Sequence, residues 1–169
     1  MRLSYSPSDP RDAAKSCSPL VQLLGKPDGT IPELLDYRAK VSADRPMVIE
    51  NGQVIRYGDG IALATRFGGF LLALGVASDH RVATYLSKGS AGIWAWFGTC
   101  YAGAIHVAIH RAHRGQVLED QLRRSKATVL VTESDAIEEL PDLSALGFRH
   151  LILVDQEEPL PCRSIAGVP

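Results

Sequence analysis

The chain has 169 residues, 46% of them hydrophobic, enough to bury about 70% of its unfolded surface in one compact domain but too few for two full ones. Eighteen basic residues against nineteen acidic ones leave a formal net charge of -1, which gives no electrostatic footprint for nucleic acid or an anionic lipid surface. Cys17, Cys100 and Cys162 are odd in number and widely scattered, which excludes a disulfide framework and metal-type spacing and fits a reducing cytoplasm.

Residues 1–29 hold prolines, serines and mixed charge without a period, so they read as a flexible arm with one short apolar turn at Leu20–Leu24. Arg2, Asp9, Arg11, Asp12 and Lys15 interrupt any apolar core that a secretory signal would need. The folded part begins at Thr30, where Thr30-Ile31-Pro32-Glu33 combines a threonine cap, a first-turn proline and a glutamate placed to close a capping box; the helix should run to about Ala43. Two β-prone runs, Met47–Glu50 and Gln53–Tyr57, flank Asn51-Gly52, the residue pair that best accepts two positive φ angles, and so predict a β-hairpin. Ile61, Ala64, Phe67, Leu71 and Leu74 then recur at helical spacing, with Gly75 as a left-handed stop. Gly68 and Gly69 inside that helix are expected to be packing glycines, since each costs about 1 kcal/mol relative to alanine.

From Arg81 short apolar runs alternate with helical segments. Strands are expected at Val82–Leu86, Ala104–Ile109, Thr128–Thr132 and His150–Asp155, and helices at Ala91–Ala102, Gly115–Ser125 and Ser134–Leu140. That alternation calls for a three-layer α/β fold with a parallel sheet and right-handed crossovers, preceded by the helix and hairpin. Gln156–Pro169, acidic and proline-rich, reads as a tail. Gly89–Ile109 carries no Asp, Glu, Lys or Arg, yet its glycines, Thr99 and His106 fit a helix joined to a buried strand better than a membrane span.

Few residues in this pattern carry chemistry. Ser87-Lys88-Gly89-Ser90 joins a strand to a helix, where N–H groups and the helix dipole can hold an anion; Lys88, Gly89 and Ser90 are therefore the anion-loop candidates. The loop matches neither phosphate-binding glycine motif, and a tight turn needs the same residues for conformational reasons. His106, His110 and His113 would share metal-ligand spacing only on one helix, and a strand-then-loop placement with Arg111 and Arg114 alongside breaks it. Trp94, Phe97 and Tyr101 follow core spacing with Trp96 on another face, and Cys100 lies in the same apolar run as an inert thiol. Glu119 and Asp120 stand four residues before Arg123 and Arg124 and read as surface ion pairs. No nucleophile elbow, zinc-protease motif or acid–base carboxylate pair is present.

Read together, Ile31-Pro32-Glu33-Leu34-Leu35, the hairpin ending in Tyr57, Leu74-Gly75-Val76, Arg81-Val82-Ala83 and Tyr101-Ala102-Gly103-Ala104 resemble, in order and spacing, the start of the adenylate-forming superfamily. Ala102–Ile109, then Arg114-Gly115 with Leu118, Gln121 and Leu122, is similar to AMP-forming acyl-CoA synthetases of the crotonobetaine/carnitine-CoA ligase type, and Ala127–Thr132 continues the match. The chain departs from that pattern at Asp79-His80, at Ala108 in place of a proline, at His110 in place of an asparagine and at His113 in place of a tyrosine. The resemblance implies a segment from 30 to 155 between an arm at 1–29 and a tail at 156–169, and an enzyme that turns a carboxylate, ATP and CoA into acyl-CoA, AMP and pyrophosphate with magnesium. It also implies a Ser/Thr/Gly-rich phosphate loop ending in lysine, an aromatic-glycine-x-threonine-glutamate motif, a ribose-binding aspartate and a lysine on a mobile domain. The 169 residues contain none of these four, so the expectation is a chain without catalytic, cofactor-binding or metal residues of its own and inactive alone. The competing expectation is a non-catalytic binding module that pairs with a complementary ligase fragment or a full-length relative, or self-associates.

Overall fold

The computed structural model describes residues 29–154 and 163–165. Helix α1 (Ile31–Ser42) starts at the expected capping box: Thr30 Oγ1 accepts from the Glu33 N–H at 3.4 Å, and Glu33 Oε2 accepts from the Thr30 N–H at 2.9 Å. Strands β1 (Pro46–Glu50) and β2 (Gln53–Arg56) form the hairpin, with Asn51 at φ 50° and Gly52 at φ 77°. Tyr57 does not end β2. It opens α2 (Tyr57–Ala73), its N–H already turned to the Arg45 carbonyl at 3.0 Å.

Helix α2 ends as its glycine predicts. Gly75 takes φ 79°, its N–H reaches the Leu72 carbonyl at 2.9 Å, and the Val76 N–H reaches the Leu71 carbonyl at 3.0 Å. Val76 is buried in the same cluster as Leu71, so the stop is also a packing contact. The two mid-helix glycines divide. A Cβ on Gly68 would lie 2.8 Å from Tyr101 Cβ and 2.9 Å from the Gly98 carbonyl, so Gly68 lets α2 approach α3 (Ser90–Tyr101) closely. Gly69 faces open space and is exposed, which corrects its reading as a packing glycine.

The α/β part follows the expected alternation: β3 (Arg81–Tyr85), α3, β4 (Ile105–Ala108), α4 (Gly115–Ser125), β5 (Val129–Thr132), a 3-10 helix (Ser134–Glu139) and β6 (His150–Leu153). The segment read as a helix over 134–140 is thus the tighter 3-10 form, closed by the Leu140 N–H on the Ile137 carbonyl. The sheet order is β4-β3-β5-β6, all parallel, with β7 (Arg163–Ile165) antiparallel beside β6. β7 falls in the stretch read as a tail, where no apolar period marks it. The expected apolar turn at Leu20–Leu24, Cys17 and Cys162 lie outside the described residues.

Strand alternation divides the core between the two faces of the sheet. Val82, Val129, Val131 and Ile152 meet Phe67, Leu71 and Ala95 on one face; Ala83, Tyr85 and Leu130 meet Leu118, Leu122 and Phe148 on the other. Trp94 is buried, Phe97 and Tyr101 are half-buried and Trp96 is exposed, the division expected from their spacing. Gly89–Ile109 is α3 followed by β4, and no helix among the described residues is long and apolar enough to cross a membrane.

Candidate functional site

In the order β4-β3-β5, β3 sends its chain to one side and β5 continues on the other, so the carboxyl ends of β3 and β5 flank a topological switch point. Open α/β sheets bind ligands in the crevice at such a point. The candidate loop Ser87–Ser90 leaves β3 there, and Glu133 leaves β5 opposite it.

Both polar ends of this loop are engaged by the chain's own carboxylates. Glu133 Oε2 accepts from the Ser87 N–H at 3.0 Å and from Ser87 Oγ at 2.7 Å, while Thr132 Oγ1 donates to the Tyr85 carbonyl at 2.8 Å. At the start of α3, Glu50 from the hairpin accepts from the Ser90 N–H at 2.9 Å and from Ser90 Oγ at 2.5 Å. Helix α3 has no side-chain cap of its own and no acidic residue in its first turn, so Glu50 supplies the negative charge that a helix N-terminus favours. Gly89 permits the approach, since a Cβ there would stand 2.8 Å from Glu50 Oε1. Lys88 is exposed. In this arrangement the Ser90 donors are engaged, and an anion at the start of α3 would face the Glu50 carboxylate.

A second cluster, which the sequence reading missed, closes the neighbouring loops. Tyr85 is fully buried, and its hydroxyl lies 3.2 and 2.8 Å from the carbonyls of Arg111 and His113 and 2.8 Å from Glu139 Oε2. The same oxygen accepts from Arg111 Nη1 at 3.2 Å and from Arg114 Nη1 at 2.6 Å. Arg111 lies over the Tyr85 ring, 4.8 Å from its centroid, and pairs with Glu139, with Asp135 at 3.3 Å and with Glu133 at 3.7 Å. Arg114 pairs with Glu139 at 3.1 Å and donates to the Arg111 carbonyl. Desolvation opposes ionisation of Glu139, but the hydrogen bonds from Tyr85 and Arg111 and the two guanidinium charges hold its carboxyl below the usual glutamate range. Burial, reinforced by Glu139, pushes the Tyr85 phenol up. A carboxylate held ionised in this way is an anchor for arginine, not a proton donor at neutral pH.

The three histidines do not form one cluster: the rings of His110 and His113 lie 5.8 Å apart, but His106 stacks against Trp96. His106 sits on β4, hydrogen-bonds Thr84 Oγ1 at 3.0 Å, and has its pKa lowered by burial; His110 Nδ1 accepts from the Ala112 N–H in the following loop. Among the described residues no three His, Cys, Asp or Glu side chains gather as a metal site. Burial raises the Cys100 thiol, so it stays protonated. Glu119 pairs with Arg123 as expected, whereas Asp120 accepts from Gln116 at 3.1 Å.

Residues 35–164 match the sequence pattern described as AMP-binding enzyme. The chain belongs to the AMP-binding enzyme family. Within it, the chain is 25% identical over 121 residues to 4-coumarate–CoA ligase 3 of Arabidopsis thaliana, an alignment covering 70% of this chain and 21% of that protein. It is 32% identical over 106 residues to surfactin synthase subunit 1 of Bacillus subtilis, covering 63% of this chain and 3% of the synthase. The fold superposes on a benzoate CoA ligase from Burkholderia xenovorans LB400 with a TM-score of 0.69 at 22% identity, over 78% of this chain and 27% of that one. The chain therefore spans about a fifth of the coumarate ligase, and its three-layer fold is that of the amino-terminal part of adenylate-forming ligases.

Proposed function

We propose that this member of the AMP-binding family supplies the amino-terminal scaffold of a cytoplasmic acyl-CoA ligase of the crotonobetaine/carnitine type and does not catalyse adenylation alone. The observation that carries this reading is the occupied loop. The family match covers residues 35–164, yet in the candidate anion loop the Ser87 and Ser90 donors are committed to Glu133 and Glu50. Positioned donors and cations around the reacting phosphate are what phosphoryl-centre chemistry requires. The acyl-CoA assignment is supported by the likeness of Ala102–Ile109 and Arg114-Gly115 to that subtype; the peptide-synthetase relatives share the scaffold itself. The implied ATP, magnesium and CoA would be held by parts of the enzyme other than the described residues.

A second reading, a binding module for a complementary ligase fragment or a full-length relative, is favoured by Trp96 and Ile105, which are 41% and 44% exposed beside the sheet's edge. Carboxylate-dependent ATP–pyrophosphate exchange separates the two readings. The purified chain is expected to show no exchange above the buffer blank with any carboxylate, and turnover by the chain alone would refute the scaffold assignment. Exchange that appears only on mixing with a separately produced remainder of a ligase would establish the module.

A further inference from the structure

The two edges of the sheet are not equivalent. At one edge β6 is covered by β7; at the other, β4 has no neighbour among the described residues beyond β3. Ile105 and Ile109 turn their N–H groups toward β3, onto the carbonyls of His80 at 2.9 Å and Thr84 at 2.8 Å. By the alternation of a parallel ladder, Val107 does the same, and His106 and Ala108 turn their N–H and C=O groups outward. Exposed edges are ordinarily blunted by a charged side chain, a proline or a bulge. β4 reads Ile-His-Val-Ala, carries none of these, and keeps an unbroken register from Ile105 to Ala108. Ala108 is exposed, Ile105 is 44% exposed, and the 41% exposed Trp96 stacks on His106 at 6.5 Å.

We propose that β4 is a homotypic docking edge at which two copies of this chain pair antiparallel about a twofold axis through Val107. The edge is complementary to itself. A twofold at Val107 sets His106 of one copy opposite Ala108 of the other, twice, and both residues have outward N–H and C=O groups to exchange. No charge on the strand meets its like, and Ile105 of each copy falls opposite Ile109 of the other. The strand is short, so the contact is a concentration-dependent one, smaller than a permanent dimer interface. This inference uses the same edge as the binding-module reading but assigns it a second copy of the chain as occupant; its failure leaves the scaffold reading untouched.

Sedimentation of the full chain across a concentration series tests it. The wild type is expected to move from the monomer mass toward twice that mass, while Ala108→Pro stays monomeric. That substitution removes only an outward N–H, leaves the Ile109 bond to Thr84 in place, and asks Val107 for the extended backbone it already has. Hydrogen exchange on the wild type supplies a readout free of any folding defect in the variant: the His106 and Ala108 amides should gain protection as concentration rises. A wild type that stays monomeric throughout, an Ala108→Pro chain that dimerises equally, or protection of these amides that ignores concentration would each overturn the proposal; the last would mean that another segment of the same chain covers the edge.

Discussion

Gly98→Ala is expected to destabilise the protein by about 3 kcal/mol, the upper end for adding a methyl group to a packed core. A Cβ at this position would stand 2.5 Å from Phe67 Cδ1 and 2.9 Å from both Phe67 Cβ and the Ala64 carbonyl. Two of those three neighbours belong to the backbone or the root of a side chain, so rotamer change cannot relieve them. Phe67 is 1% exposed and packs into the cluster that joins α2 to the sheet, so separating α2 from α3 to make room would open that cluster. For a domain of this size the thermal midpoint should fall by about 6–12 °C. Gly69→Ala is the internal control. It lies one residue beyond Gly68 on α2 with nothing near its missing Cβ, and should raise stability by about 0.5–1 kcal/mol by removing helix-interior glycine entropy. A Gly98→Ala chain that melts with the wild type would show that α2 and α3 are not in the close contact described.

The Tyr85 cluster gives the second large effect, and two substitutions divide it. Tyr85→Phe keeps the buried ring under Arg111 but removes the oxygen shared by Glu139, Arg114 and the His113 carbonyl. Leaving such groups partly unsatisfied costs about 1–3 kcal/mol. Tyr85→Ala also empties a fully buried site and should cost about 3–5 kcal/mol. The hydroxyl's own contribution should appear locally as faster hydrogen exchange across residues 110–114, because two of its partners are carbonyls of that loop. If Tyr85→Phe leaves both the melt and the exchange of 110–114 unchanged, the ring alone holds the site and the network around the oxygen is incidental.

Local signals made much of the fold legible in the sequence. Thr30 with Glu33, Asn51-Gly52 and Gly75 each specify a backbone conformation within a few residues, and each is found in that conformation. The near-continuous apolar strands forecast a parallel sheet covered on both faces, which Val82, Val129 and Val131 on one face and Ala83 and Leu130 on the other confirm. The clasp at the carboxyl ends of the strands was hidden for a physical reason. Tyr85, Arg111, Glu133 and Glu139 are brought together only by the strand order, with partners up to 54 positions apart, and no short spacing encodes that. The same holds for Glu50, which reaches Ser90 across 40 residues; the sequence marked the α3 N-terminus as able to hold an anion but could not show that the hairpin delivers one. Gly68 and Gly69 are equivalent in sequence and differ only in which face of α2 meets α3. β7 pairs through its backbone with β6, and no side-chain pattern announces it.

Closure of the candidate anion loop by Glu50 and Glu133 is read out by following the backbone amide signals of the labelled chain during titration with ATP and magnesium. The amides of Ser87, Lys88, Gly89 and Ser90 are expected to stay in place through saturating nucleotide, because Glu133 and Glu50 hold the Ser87 and Ser90 N–H groups and set a carboxylate at each end of the loop. Saturable shifts centred on those four residues would contradict it and would make the loop a nucleotide site after all.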